Sequence, residues 1–168
     1  MRIVRNLLLV IAALLLQSTL ADTISIHEIK PDFVLIVLVL MSFTGGRITG
    51  TVFGFLAGWL QDVYSPEFLG LNALCKAIIG FLVGYASGGV IEANIVTQGI
   101  VLFFAALFHD VLYFLIYSWG HMHDYVWYIV RYGLPTALYT TVVGLVILAV
   151  LTVRGGGHIG YGKRFVSR

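Results

Sequence analysis

A bundle of about six membrane-spanning α-helices is the fold this sequence predicts, and three observations carry the prediction. The chain of 168 residues is 60% hydrophobic and only 11% charged, whereas a soluble domain is about 45–50% apolar and about 25% charged. Its apolar residues fall into successive runs that reach or approach the ~20 residues a helix needs to cross a bilayer. Its Lys and Arg residues collect at the two ends and in the short stretches between runs, as charge-determined topology requires. No polar stretch is long enough to hide a soluble domain, so a single transmembrane domain over residues 1–168 is expected.

The first span is expected over residues 3–21, behind the basic pair Arg2 and Arg5. A charged start and an apolar run also describe a secretory signal, with Thr19-Leu20-Ala21 as a weak cleavage site. The immediate continuation into further apolar runs favours an uncleaved helix. Asp22 to Asp32 is a polar loop, and Pro31 marks the next helix start, where a missing N–H is harmless. The second span, over residues 32–44, is very apolar but short, and is also compatible with a short buried helix or a re-entrant segment. Gly45-Gly46-Arg47 reads as a tight turn. The third span is expected over 48–64, ended by Ser65-Pro66-Glu67, and the fourth over 69–88. A turn through Gly88-Gly89 and Glu92-Ala93-Asn94 leads to the fifth, over 95–118. Trp119 to Tyr125 reads as a polar-aromatic loop. The sixth covers 126–153 with a kink at Pro135, and residues 154–168 form a basic, glycine-rich tail.

Charge orients the bundle. With six spans and a cytoplasmic N-terminus, Arg2, Arg5, Arg47, Arg154, Lys163, Arg164 and Arg168 lie inside, against Lys30 and Arg131 outside. Removing the second span would put the basic tail outside and erase this bias, so the count favours six spans over five. Tyr64, Phe68, Trp119, Tyr125, Trp127 and Tyr128 then gather at the outer interface, where amphipathic rings settle. The net charge of +2 is read as topology, not as affinity for nucleic acid.

Two glycine ladders stand out: Gly50, Gly54 and Gly58 in the third helix, and Gly80, Gly84 and Gly88 in the fourth. Small residues every four positions let helix backbones approach closely in lipid. Each ladder runs into polar residues, Asp62 beyond the first, Lys76 and Asn72 before the second. His109 and Asp110 lie within the fifth helix, with Tyr113 and Tyr117 on the face of Asp110. Ionisable residues inside a membrane helix are costly, at about 2.5–3.5 kcal/mol on insertion scales, and face the bundle interior or a water-filled cavity. By depth, Asp62, Lys76 and Asp110, with Asn72 and His109, are expected to form one outward-facing polar cluster, with an Asp62–Lys76 pair. Such a cluster serves either as structural glue between helices or as a polar site for a ligand or partner.

Cys75 is the only cysteine; it lies in an apolar run, forms no intrachain disulfide, and reads as an inert thiol. His121, Met122, His123 and Asp124 are a poor metal signal and read as a solvated loop. No nucleophile with a base, phosphate-cradling loop or metal-ligand motif is present, so a protein that is not an enzyme, without cofactor or metal, is expected.

Several of these segments carry a family resemblance. Gln17-Ser18-Thr19 closes the first helix, Lys30-Pro31-Asp32-Phe33 opens the second, Gly54 through Asp62 (GFLAGWLQD) ends the third, and Leu69 through Leu74 (LGLNAL) opens the fourth. In order and spacing they resemble the MreD family of bacterial rod shape-determining membrane proteins, most densely from Gln17 to Gly88. The resemblance implies a small multi-pass subunit of the plasma (inner) membrane, without catalytic residues, in the machinery that elongates the peptidoglycan wall. It implies an MreC-like single-span partner and, indirectly, MreB filaments and a RodA–penicillin-binding protein synthase. It also implies a fold similar to the substrate-binding subunits of energy-coupling-factor transporters. The alternative reading is a transporter-type subunit that binds a small molecule or lipid in an outward polar pocket.

Overall fold

The computed structural model describes residues 2–64, 68–87, 94–117 and 122–154. They form six α-helices: α1 (Arg2–Thr23), α2 (Phe33–Tyr64), α3 (Leu71–Ala86), α4 (Ile95–Tyr117), α5 (Met122–Tyr128) and α6 (Leu134–Arg154), with a π-helical turn, Ile129–Gly133, joining α5 to α6. Four stretches are long and apolar enough to cross a membrane: Ile3–Thr23, Phe33–Tyr64, Ile95–Tyr117 and Tyr125–Leu151. Leu71–Ala86 is apolar but shorter. The tail from residue 155 onward, the turn residues 65–67 and 88–93 (with Gly88), and His121 lie outside the described residues.

The long helix α2 is a hairpin. At Gly46, φ is 74° and ψ −175°, a backbone conformation essentially confined to glycine. The buried Ser42 hydroxyl lies against Gly50, although eight residues of straight helix would separate them by about 12 Å. Val34 and Met41 of the first limb share a buried cluster with Phe53 and Ala57 of the second, and with Val10 and Ala13 of α1. The Gly45-Gly46-Arg47 segment therefore reverses the chain.

The first limb is the centre of the molecule. Leu35, Ile36, Leu38 and Val39 are buried in one cluster with Ile79 and Val83 of α3, Leu102, Ala105 and Ala106 of α4, and Ala137 of α6. A helix that is apolar all round belongs where neighbours surround it, which accounts for the unbroken apolar run from Phe33 to Met41. The outer helices instead bury one stripe each. In α1 it is Asn6, Val10, Ala13 and Ala21, with Gln17 half-buried on the same stripe. In α6 it is Ala137, Thr140, Gly144 and Leu148. Their other faces carry exposed Leu, Ile and Val side chains, a surface suited to lipid.

Along the second limb, Gly50 faces Gly80, Gly54 faces the Lys76 carbonyl and Gly58 faces the Asn72 carbonyl, while Gly84 faces Gly46 and Arg47. The matched steps of four show α3 running antiparallel to this limb with backbones in contact. A Cβ on Gly50 or Gly80 would overlap the other residue's carbonyl.

Two expectations are corrected at the other side of the bundle. The segment read as a loop up to Tyr125 is helical from Met122; it contains no glycine or proline after Gly120 to stop a helix. The expected kink at Pro135 is a π-turn one step earlier, in which the Leu134 N–H bonds the Ile129 carbonyl. Proline has no N–H and its ring displaces the carbonyl four residues back, and the extra residue of a π-turn absorbs that mismatch.

Candidate functional site

Asp62 closes one end of the α2–α3 seam. Gly70 precedes α3 with φ 95° and has no side chain to cap the helix. Asp62 supplies the cap from across the turn: its Oδ2 accepts from the N–H groups of Gly70 (3.0 Å) and Ala73 (3.0 Å), and its Oδ1 from the Asn72 N–H (3.1 Å) and Nδ2 (2.9 Å). A carboxylate at a helix N-terminus with four donors is satisfied by hydrogen bonds and the helix dipole. Asp62 is almost completely buried and needs no cation. The expected Asp62–Lys76 pair is therefore not formed.

Lys76 pairs instead with Asp32, a residue the sequence reading placed only at a helix start. The Lys76 ammonium, fully buried, donates to Asp32 Oδ2 at 2.8 Å. Its second neighbour is His109 Nε2 at 3.2 Å, and His109 Nδ1 lies 3.0 Å from Asp110 Oδ1. An ammonium has only donors, so beside it His109 Nε2 is the acceptor, which leaves Nδ1 as the donor toward Asp110 Oδ1. Asp32, Lys76, His109 and Asp110 thus form one chain of contacts that ties the central limb to α3 and α4. Asp110 packs against Gly133 of the π-turn, and its Oδ2 is buried with no hydrogen-bond partner among the described residues.

Asp32 is placed by its surroundings. Its Oδ1 caps the N–H of Leu35 at 2.8 Å and its own N–H donates to the Thr140 hydroxyl at 3.0 Å. Gln17 of α1 clamps both sides of it, donating to the Pro31 carbonyl at 3.3 Å and accepting from the Phe33 N–H at 2.8 Å. Tyr139 holds the loop farther back through the Ile24 carbonyl at 2.8 Å.

Beside Asp32 lies a cavity of about 560 Å³. Glu28, Asp32, Tyr113, Tyr117, Tyr128 and Tyr132 are among the residues that line it. The rings form a connected array: Tyr117 meets Tyr113 (6.2 Å) and Tyr128 (6.0 Å), and Tyr128 stacks with Tyr132 at 6.2 Å. Among the described residues, no group of three His, Cys, Asp or Glu side chains is arranged to hold a metal ion.

The arrangement is a polar lock inside an apolar bundle, and a comparison with known families says what carries it. The family model described as rod shape-determining protein MreD matches residues 1–153. The chain belongs to this family. It is thus a cell-shape-determining, multi-pass membrane protein, of a family not known for enzymes. Neither curated proteins nor solved structures yield a match. The segments that carry the resemblance to MreD meet in space: Gln17 clamps Pro31 and Phe33, Gly54 and Gly58 admit α3, and Asp62 caps the helix that Asn72 opens.

Of the residues expected to form one cluster, Lys76, His109 and Asp110 come together, while Asp62 and Asn72 form a separate cap. Asp32 and Gln17 were missed as site residues. A signal for each was present: Asp32 is a helix N-cap residue before an apolar run, and Gln17 is a polar break in the stripe Asn6, Val10, Ala13, Ala21.

Proposed function

We propose that this chain is a non-enzymatic scaffold subunit of the cell-wall elongation machinery in the bacterial plasma membrane, and that it docks an MreC-like single-span partner. The observation that carries the reading is the MreD family match over residues 1–153. The architecture supports it: the buried polar groups lock helices to one another, and the exposed faces of α1, α4 and α6 are apolar, as helix faces that pack against a membrane partner must be.

The same reading includes six passes with both termini cytoplasmic. The reversal at Gly46 supports counting α2 twice, and the distribution of Arg and Lys supports the orientation. Its limbs, residues 33–45 and 47–64, are about 20 and 27 Å long at 1.5 Å per residue, short of a 30 Å core. The first limb is sheltered by its neighbours, so the deficit falls where protein, not lipid, surrounds it. A fold like that of the energy-coupling-factor subunits belongs to this proposal too.

The test is affinity purification of the tagged full-length chain from membranes of its native host, together with deletion of its gene. Co-purification of an MreC-like protein and loss of rod shape are expected. Intact rods with no such partner in the eluate would sink the proposal. A C-terminal reporter fusion that is active only outside the cytoplasm would overturn the six-pass topology.

A further inference from the structure

The cavity beside Asp32 is not used by a scaffold role, and its chemistry points to a ligand. Its volume, about 560 Å³, falls in the range of small-molecule sites, about 300–1,000 Å³. Most of its polar lining is already committed. Both ends of the Gln17 amide hold backbone, both Asp32 oxygens are engaged, and Lys30 is paired with Asp22. Glu28 is different: it is exposed, lines the cavity, and has no hydrogen-bond or ion-pair partner among the described residues.

Glu28 is also held there at a cost. Ile26 and Ile29 exchange both backbone hydrogen bonds at 3.0 Å around a two-residue turn, with φ of 50° at His27 and 70° at Glu28. Two consecutive positive φ values make this the turn type that Asn-Gly occupies readily, and residues with bulky side chains adopt it under strain. The chain nonetheless has a carboxylate at a position that lines the cavity.

The same cavity is lined by the tyrosine array. The faces of tyrosine rings attract cations, and this array already holds one, the Arg131 guanidinium 5.6 Å from the centre of the Tyr132 ring. An unpaired carboxylate and electron-rich rings lining one cavity complement a positive charge that also has an apolar surface. We propose that this cavity binds an organic ammonium group, held between the Glu28 carboxylate and the faces of Tyr117, Tyr128 and Tyr132. The ammonium of a zwitterionic phospholipid headgroup and a free amine share this chemistry.

The test uses the purified full-length protein in lipid nanodiscs. Native mass spectrometry compares retention of phosphatidylethanolamine with that of phosphatidylglycerol, with ethanolamine and choline added as soluble competitors. Retention of phosphatidylethanolamine about tenfold above phosphatidylglycerol is expected, and Glu28→Gln removes that preference. Tyr128→Phe keeps the ring face and binding, whereas Tyr128→Leu weakens binding about tenfold. The double variant His27→Asn with Glu28→Gly relaxes the turn, so it raises the thermal midpoint while losing the ligand; this separates binding from folding. Displacement by millimolar ethanolamine or choline identifies a free amine as sufficient, and resistance to both identifies the lipid headgroup. Equal retention of the two lipids with no binding of either amine, or wild-type binding by both Glu28 variants, overturns the proposal.

Discussion

The two sides of this bundle treat buried carboxylates in opposite ways. On the α2–α3 side, Asp62 has four donors and every glycine of the seam that is described meets backbone. On the α4–α6 side, Asp110 keeps one oxygen without a partner among the described residues, beside a π-turn and close to an open cavity. The first side is closed by backbone contact, so it has one arrangement. The second is closed by long side chains, which leave space and unspent hydrogen-bonding capacity. In a membrane, where apolar surface supplies no preference between helix and lipid, such differences decide which part of a bundle is rigid frame and which part is free for binding.

The comparison breaks most severely at the seam. Gly50→Leu or Gly80→Val places a side chain where the opposing carbonyl already sits. The loss should exceed the ~1–3 kcal/mol of ordinary overpacking, because backbone cannot repack around it. Membrane abundance and the thermal midpoint in detergent should both collapse. Gly99→Ala, which meets only the flexible Leu145 side chain, should be far milder; equal damage from the two would remove the distinction between frame and open side.

Next in size is the lock between the two sides. Lys76→Met leaves the Asp32 carboxylate without its cation, and breaking one partner of a buried pair costs about 3–5 kcal/mol. Adding Asp32→Asn removes the stranded charge and should restore much of the midpoint. If the double variant is no better than Lys76→Met alone, the contact between Lys76 and Asp32 is not what holds the limb to α3. Asp62→Asn is of similar size: an amide nitrogen cannot accept, so two of the four N–H groups lose their partner, at about 1–3 kcal/mol each. That variant should fray the start of α3, seen as faster amide exchange at Asn72 and Ala73, while α4 is unaffected.

How much of this was legible in the sequence follows from which atoms do the work. The glycine ladders were readable because a period of four is a property of side chains along one helix. Lys76, His109 and Asp110 were readable as charges in apolar runs. The partner of Lys76 was not: Asp32 and Asp62 both sit at ends of α2 limbs, and only the reversal at Gly46 brings the two ends together. The pairing was settled by donors that no side-chain pattern reveals, the N–H groups of Gly70, Asn72 and Ala73. The π-turn was hidden for a similar reason. Pro135 announces a disturbance, but the side-chain pattern does not say whether the helix bends or gains a residue in one turn, as it does at Ile129–Gly133.

The smallest effect is expected where the structure is most open. Asp110→Asn keeps the hydrogen bond acceptor for His109 Nδ1 in one amide orientation and replaces the unpartnered oxygen with an amide group. Since Oδ2 makes no hydrogen bond to lose among the described residues, the stability should change by under about 1 kcal/mol, within the range of substitutions that break no network. Asp110→Leu is the sharper test, because it removes the acceptor and strands the His109 N–H, at about 1–3 kcal/mol. A thermal series on the two variants should therefore rank Asp110→Leu well below Asp110→Asn. If both are as damaging as Lys76→Met, Asp110 belongs to the rigid frame, and the contrast between the two sides of the bundle disappears.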